Sequence, residues 1–195
     1  MDTEEMKLCT AFVGTRKIAQ GTVREVAAVV KAYMDQNPDQ SLLIFDDVSS
    51  AVVELDLRGT KEEVLRRLGW SDGGETEEKV GPGRPKLGVV SREIGLLPRH
   101  WDWLALQAGG ASVTLRKLVE EAKKKNLGQD AVRQSQNAAY KFMSAMAGDL
   151  PHFEEATRAF FAKNRPLFVT LSAGWPQDIR DHALKLGELA LGQEV

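Results

Sequence analysis

Apolar and polar positions alternate at the start of the chain and recur at helical spacing towards its end. Residues 9–13 and 16–20 are short strand-like runs around Gly14-Thr15, a pattern that predicts a hairpin. Val23, Val26, Ala27, Val30 and Met34 then repeat every three or four residues behind a capping Thr22, which predicts an amphipathic helix over 22–35. Asn37-Pro38-Asp39 stops it. A short apolar run over 41–45, the pair Asp46-Asp47, and alternating Val53, Leu55 and Leu57 predict a second hairpin. Thr60 followed three residues later by Glu63 is a capping box for a short helix ending near Leu68-Gly69. The order ββαββα is that of a small α+β domain over residues 1–70.

Residues 71–88 have no apolar period and are rich in Gly, Pro and charge. Such a stretch buries too little surface to offset its ordering entropy, so it is expected to be a flexible linker. From residue 89 the pattern returns. Val90, Ile94 and Leu96 share the apolar face of an extended run over 89–97, interrupted by Arg92. Pro98 suits the first position of a helix carrying Trp101, Leu104, Ala105 and Ala108 on one stripe, so Trp101 is expected in a core. Gly109-Gly110 separates it from a second helix with the stripe Leu115, Leu118, Val119 and Ala122. Beyond Asn126-Leu127-Gly128, residues 127–195 read as a helical region with helices over about 129–147, 151–163 and 176–190. Ala139, Phe142, Met143 and Met146 mark the inner face of the first, and Ile179, His182, Ala183 and Leu186 that of the last.

Composition narrows the class. At 195 residues with 43% hydrophobic positions, the chain is long enough for one core or two small ones. No apolar run approaches the roughly 18 residues of a membrane span, so no membrane association is expected. The acidic start is unlike the basic start of a secretory signal, and a single cysteine, Cys9, excludes an internal disulfide and any multi-cysteine metal site. A reducing cytoplasm is the expected setting. The net charge of −2 is unevenly spread: residues 1–79 carry −6, residues 80–126 carry +5 and residues 127–195 carry −1. An anionic partner is therefore expected at the middle segment.

That segment also holds the candidate chemistry. An extended run ending in Leu97-Pro98, a short helix with Trp101 and Leu104, a Gly-Gly-Ala-Ser turn and a helix containing Arg116-Lys117-Leu118-Val119 resemble the ribbon-helix-helix DNA-binding module of the Arc and MetJ type over residues 89–126. The resemblance implies a homodimer, because one strand and two short helices do not close a core alone. It also implies that the paired strands enter the major groove and read base edges. Ser91, Arg92 and Glu93 are then the candidate groove residues, and Gly110, Ser112 and Arg116, at the start of the second helix, the candidate phosphate contacts. Just upstream, Gly83-Arg84-Pro85-Lys86 resembles the core of an AT-hook, in which Arg84 and Lys86 occupy a narrow minor groove.

Other polar residues have plainer readings. His100, His152 and His182 fall on separate helices without ligand spacing, so neither a metal nor a catalytic role is expected of them. Asp46-Asp47 reads as a polar turn and Trp175-Pro176 as a packing staple. No phosphate loop, nucleophile elbow or dinucleotide fingerprint is present, so neither a cofactor nor enzymatic activity is expected. Stretches across most of the chain, among them Thr10-Ala11-Phe12-Val13-Gly14-Thr15, Leu55-Asp56-Leu57-Arg58-Gly59-Thr60 and Gly174-Trp175-Pro176, resemble a bacterial domain-of-unknown-function family, number 2239. That resemblance implies no activity. Two functions follow: a DNA-binding transcriptional regulator, or an antitoxin-like adaptor that uses the ribbon only to dimerise. The acidic first 70 residues, which DNA would repel, motivate the second.

Overall fold

The computed structural model describes residues 7–68 and 90–192. They divide into two units, one made of 7–68 together with 129–192 and the other of 90–128.

The first unit opens with strands β1 (Leu8–Val13) and β2 (Arg16–Thr22), joined at Gly14, whose φ of 54° is the left-handed conformation that glycine adopts without steric cost. Thr22 then caps helix α1 (Val23–Gln36). Its hydroxyl accepts the Glu25 amide, and the Glu25 carboxylate accepts the Thr22 amide in return. Strand β3 (Leu42–Asp46) lies antiparallel on the other side of β1, giving the sheet order β2-β1-β3 with Thr10 opposite Phe45 and Ala11 opposite Ile44. Being central, β1 is buried on both faces, and alternation along it sends side chains into two different cores. Cys9 and Ala11 join Ile44, Val26 and Val30 under α1. Phe12 joins Phe45 on the opposite face.

Helices from the end of the chain cover that second face. They are α5 (Phe153–Phe161), α6 (Arg165–Leu171), α7 (Gln177–Leu186) and α8 (Glu188–Leu191), together with the C-terminal part of α4 (Gly110–Met146). Phe12 and Phe45 pack with Phe142, Met143, Phe160, Phe168, Trp175 and Ile179 in a single cluster. The N-terminal α+β segment and the helical tail, expected as separate regions, thus share one core. Trp175 is its staple, buried with its indole Nε1 donating to the Pro151 carbonyl at 2.9 Å.

Three expectations need correction. The fourth strand of the ββαββα order is absent. Residues 51–57 form no strand: they make an isolated bridge, Phe45 with Val52, flanked by bonds from the Val53 amide to the Ile44 carbonyl at 2.8 Å and from the Asp46 amide to the Ala51 carbonyl at 2.9 Å. Their alternation was nonetheless informative about burial, since Val53, Leu55 and Leu57 pack against the core under α1. Period two reports which side chains face inward; it does not report whether the backbone finds a ladder partner. Helix α2 (Lys61–Arg67), with its capping box, follows as expected.

Secondly, Asn126-Leu127-Gly128 does not end a helix, because α4 runs unbroken for 37 residues. A glycine in a helix interior costs only about 1 kcal/mol relative to alanine. The strong helix formers on either side, Lys123-Lys124-Lys125 and then Gln129 and Ala131, outweigh it. Gly128 has open space around its Cα and no left-handed φ, so Gly128→Ala is expected to stabilise the chain by up to about 1 kcal/mol, read as a raised thermal midpoint. A lowered midpoint would show that the helix breaks there in solution. Thirdly, the tail contains an extra helix, α6. Asn164 caps it by accepting the Leu167 amide at 3.1 Å, and Pro166 sits in its first turn. The linker predicted over 71–88 lies outside the described residues.

Candidate nucleic-acid interface

The described part of the second unit begins at Val90. Residues 90–97 carry neither helix nor strand pairing, so the ribbon expected over 89–97 is not formed within one chain. Ser91, Arg92 and Glu93 are all exposed along this stretch. Helix α3 (Pro98–Ala105) follows, with Pro98 in its first turn, where the missing proline amide costs nothing. Of its side chains only Leu104 is buried. Trp101, expected in a core with Leu104, is 42% exposed, and Trp103 on the neighbouring face is 49% exposed. An eight-residue helix offers too little surface to enclose an indole.

Gly109 and Gly110 break the chain between α3 and α4, with φ of 91° and 69°. At Gly109 a side chain would also press on Val113, its Cβ falling 3.1 Å from that residue. Glycine is therefore required at Gly109 on two independent grounds. The Gly110 amide already donates to the Gln107 carbonyl at 2.9 Å, which removes it from the amides available for a phosphate. Ser112 is exposed in the first turn of α4, and one turn on, Arg116 Nε donates to the Ser112 carbonyl at 3.1 Å. Ser112 and Arg116 are thus brought together, whereas no hydrogen bond or ion pair among the described residues links them to Ser91, Arg92 or Glu93. Arg84 and Lys86 lie outside the described residues.

Charge favours an anionic partner here. Residues 90–128 hold seven Lys or Arg against four Asp or Glu. Lys123 pairs with Glu120 at 3.4 Å, while Arg92, Arg99, Lys117, Lys124 and Lys125 make no ion pair among the described residues.

Polar residues of the first unit are occupied differently. Asp46 closes a turn by accepting the Ser49 amide at 2.7 Å, the Ser49 hydroxyl at 2.6 Å and the Val48 amide at 3.2 Å. Asp47 instead ties elements together. It accepts the Thr10 hydroxyl at 2.5 Å and the Gln20 side-chain Nε2 at 2.6 Å, with Lys185 Nζ 3.5 Å away. The sequence marked this pair as a polar turn and missed the second role, because Thr10, Gln20 and Lys185 are scattered along the chain. Burial, reinforced by the Asp47 and Asp46 carboxylates, pushes the Cys9 thiol up to about 11 and leaves it unreactive at neutral pH.

Two shallow surface clefts lie in this unit. One, about 490 Å³, is lined by Asp56, Glu63 and three arginines, of which Arg58 and Arg67 already pair with Asp56. The other, about 330 Å³, lies beside α4 and includes Ser49, Arg133 and Lys141, with Asp130 against Arg133 at 3.6 Å. Both mix charges of either sign. His100 lies on α3, His152 precedes α5 and His182 is buried on α7. Among the described residues, no group of three or more His, Cys, Asp or Glu could hold a metal ion.

Comparison with known proteins matches residues 8–187 to DUF2239, described as an uncharacterized protein conserved in bacteria. The chain belongs to the DUF2239 family. The match spans both units of this DUF2239 protein and every described element but the last, α8. No curated protein and no solved structure matches the chain. Among its described residues, no helix is long and apolar enough to cross a membrane.

Proposed function

We propose that this DUF2239 protein binds duplex DNA as a homodimer and acts as a transcriptional regulator, with the second units of two copies pairing in ribbon-helix-helix fashion. The observation that carries this reading is the unsatisfied apolar surface of residues 90–128. Val90, Ile94, Trp101, Leu106, Val119 and Leu127 are all exposed, and Leu104 is the one buried large apolar side chain of the stretch. A monomer gains nothing by displaying so much apolar surface beside so many cations. In a twofold pair, residues 90–97 acquire the strand partner they lack, and the stripe of Leu118 and Val119 is covered. The unpaired Arg92, Lys117, Lys124 and Lys125 remain free for phosphates.

The adaptor reading is favoured by Glu93, exposed where a groove-reading strand would meet phosphates. A salt titration of binding to random duplex separates the two. For DNA binding, log affinity is expected to fall with log salt by about 0.9 per phosphate neutralised. Arg92→Ala/Lys117→Ala is expected to lessen that slope by about two, and Arg84→Ala/Lys86→Ala to weaken binding further. A dimer that binds no duplex at low salt would leave the adaptor.

A further inference from the structure

His182 has no polar partner. Its ring is 3% exposed, and neither Nδ1 nor Nε2 makes a hydrogen bond. It stands edge-on to Phe142 with centroids 4.6 Å apart and to Phe12 at 5.4 Å, so α7 meets α4 and β1 through an imidazole held among phenyl rings. Buried polar groups are nearly always satisfied, and one left bare on both nitrogens needs an explanation.

The charges that face it are few. From the turn after β3 comes Asp47, from β2 Lys17 and from α7 itself Lys185; β1 and α4 present Phe12 and Phe142. Asp47 is the one carboxylate among these groups. Its oxygens are engaged by Thr10 and Gln20, with Lys185 close by, and neither ring nitrogen hydrogen-bonds to it, so it offsets the cost of charging the ring only in part. Around this seam α7 is otherwise held by polar ties at its two ends. The Lys17 amide donates to Asp178 at 2.8 Å, and the Ser135 hydroxyl donates to the Leu186 carbonyl at 2.6 Å. The His182 ring sits between them, at the centre of the contact.

We infer that His182 is a proton-operated latch, its neutral ring holding α7 against the sheet and α4, and its protonation releasing α7 from Phe12 and Phe142. Uptake of one proton at a ring nitrogen is the whole chemical event. Burial lowers the imidazole to about 4, the Asp47 carboxylate opposing that shift and Lys185 and Lys17 adding to it. Once released into water the ring regains an ordinary value near 6.5. The closed form is therefore the less protonated one between those values. Its stability is complete above about pH 6.5 and drains away as the pH falls towards 4.

The test is hydrogen exchange of α7 amides in the full chain at pH 7 and pH 5, corrected for intrinsic exchange, beside His182→Phe, which keeps an aromatic ring and removes the proton site. Opening of α7 in the wild type is expected to rise about 20-fold between the two conditions, and to be nearly unchanged in the variant. Equal rises in both would overturn the latch. If the variant does not fold, the wild-type imidazole signals decide. A ring that stays neutral until α7 opens supports the inference, whereas one titrating near 6.5 with α7 still protected refutes it.

Discussion

Replacing Leu118 and Val119 by glutamate is expected to split the proposed homodimer into monomers, weakening self-association by about 100-fold or more. Both side chains are more than two-fifths exposed on α4 in a single chain. On an isolated chain, two such surface changes would shift stability by only about 0.5 kcal/mol each. At a twofold interface each substitution occurs twice, and it places carboxylates without partners where apolar side chains met. A buried, unpaired charge costs roughly 3–5 kcal/mol, and about 2.7 kcal/mol already corresponds to 100-fold in a dissociation constant. Sedimentation or light scattering reads the change directly, and duplex binding should fall with it. An unaltered dimer carrying both glutamates would remove the pairing proposed for residues 90–128.

The second large effect belongs to the shared core. Phe142→Ala is expected to destabilise the first unit by about 3–5 kcal/mol, lowering its thermal midpoint by roughly 10 °C. Phe142 is fully buried and meets three rings, Phe45 at 5.2 Å, Phe12 at 5.3 Å and His182 at 4.6 Å. Those rings come from β3, β1 and α7, so a cavity there has walls fixed by four different elements and has little room to collapse. A loss below 1 kcal/mol, measured by denaturant unfolding, would mean that the sheet and the helical tail do not share this core. The expected outcome also bears on the latch, because the same substitution removes one of the two rings against which His182 is held.

Much of the candidate interface was legible in advance. The pair of short apolar stripes, the glycine turn and the basic balance of residues 80–126 are properties of local spacing and composition, and α3, Gly109-Gly110 and the start of α4 lie where that spacing put them. Trp101 is exposed in the single chain: periodicity identifies which residues share a face, not whether anything covers that face. Nor does local spacing show that the Gly110 amide is donated to Gln107, a bond that depends on the turn's own geometry.

Local physics determined the capping boxes at Thr22 and Thr60, the hairpin at Gly14 and the inward faces of α1, α4 and α7, since each depends on residues within a few positions of one another. Long-range geometry alone decided the rest. It joined residues 7–68 to residues 129–192 around Phe12, Phe45 and Phe142, and it gathered Thr10, Gln20 and Lys185 on Asp47. It also left His182 bare between two phenyl rings. A side chain's pattern along the chain shows that it will be buried; which distant groups surround it, and hence whether its polar atoms are satisfied, follows only from the closed core.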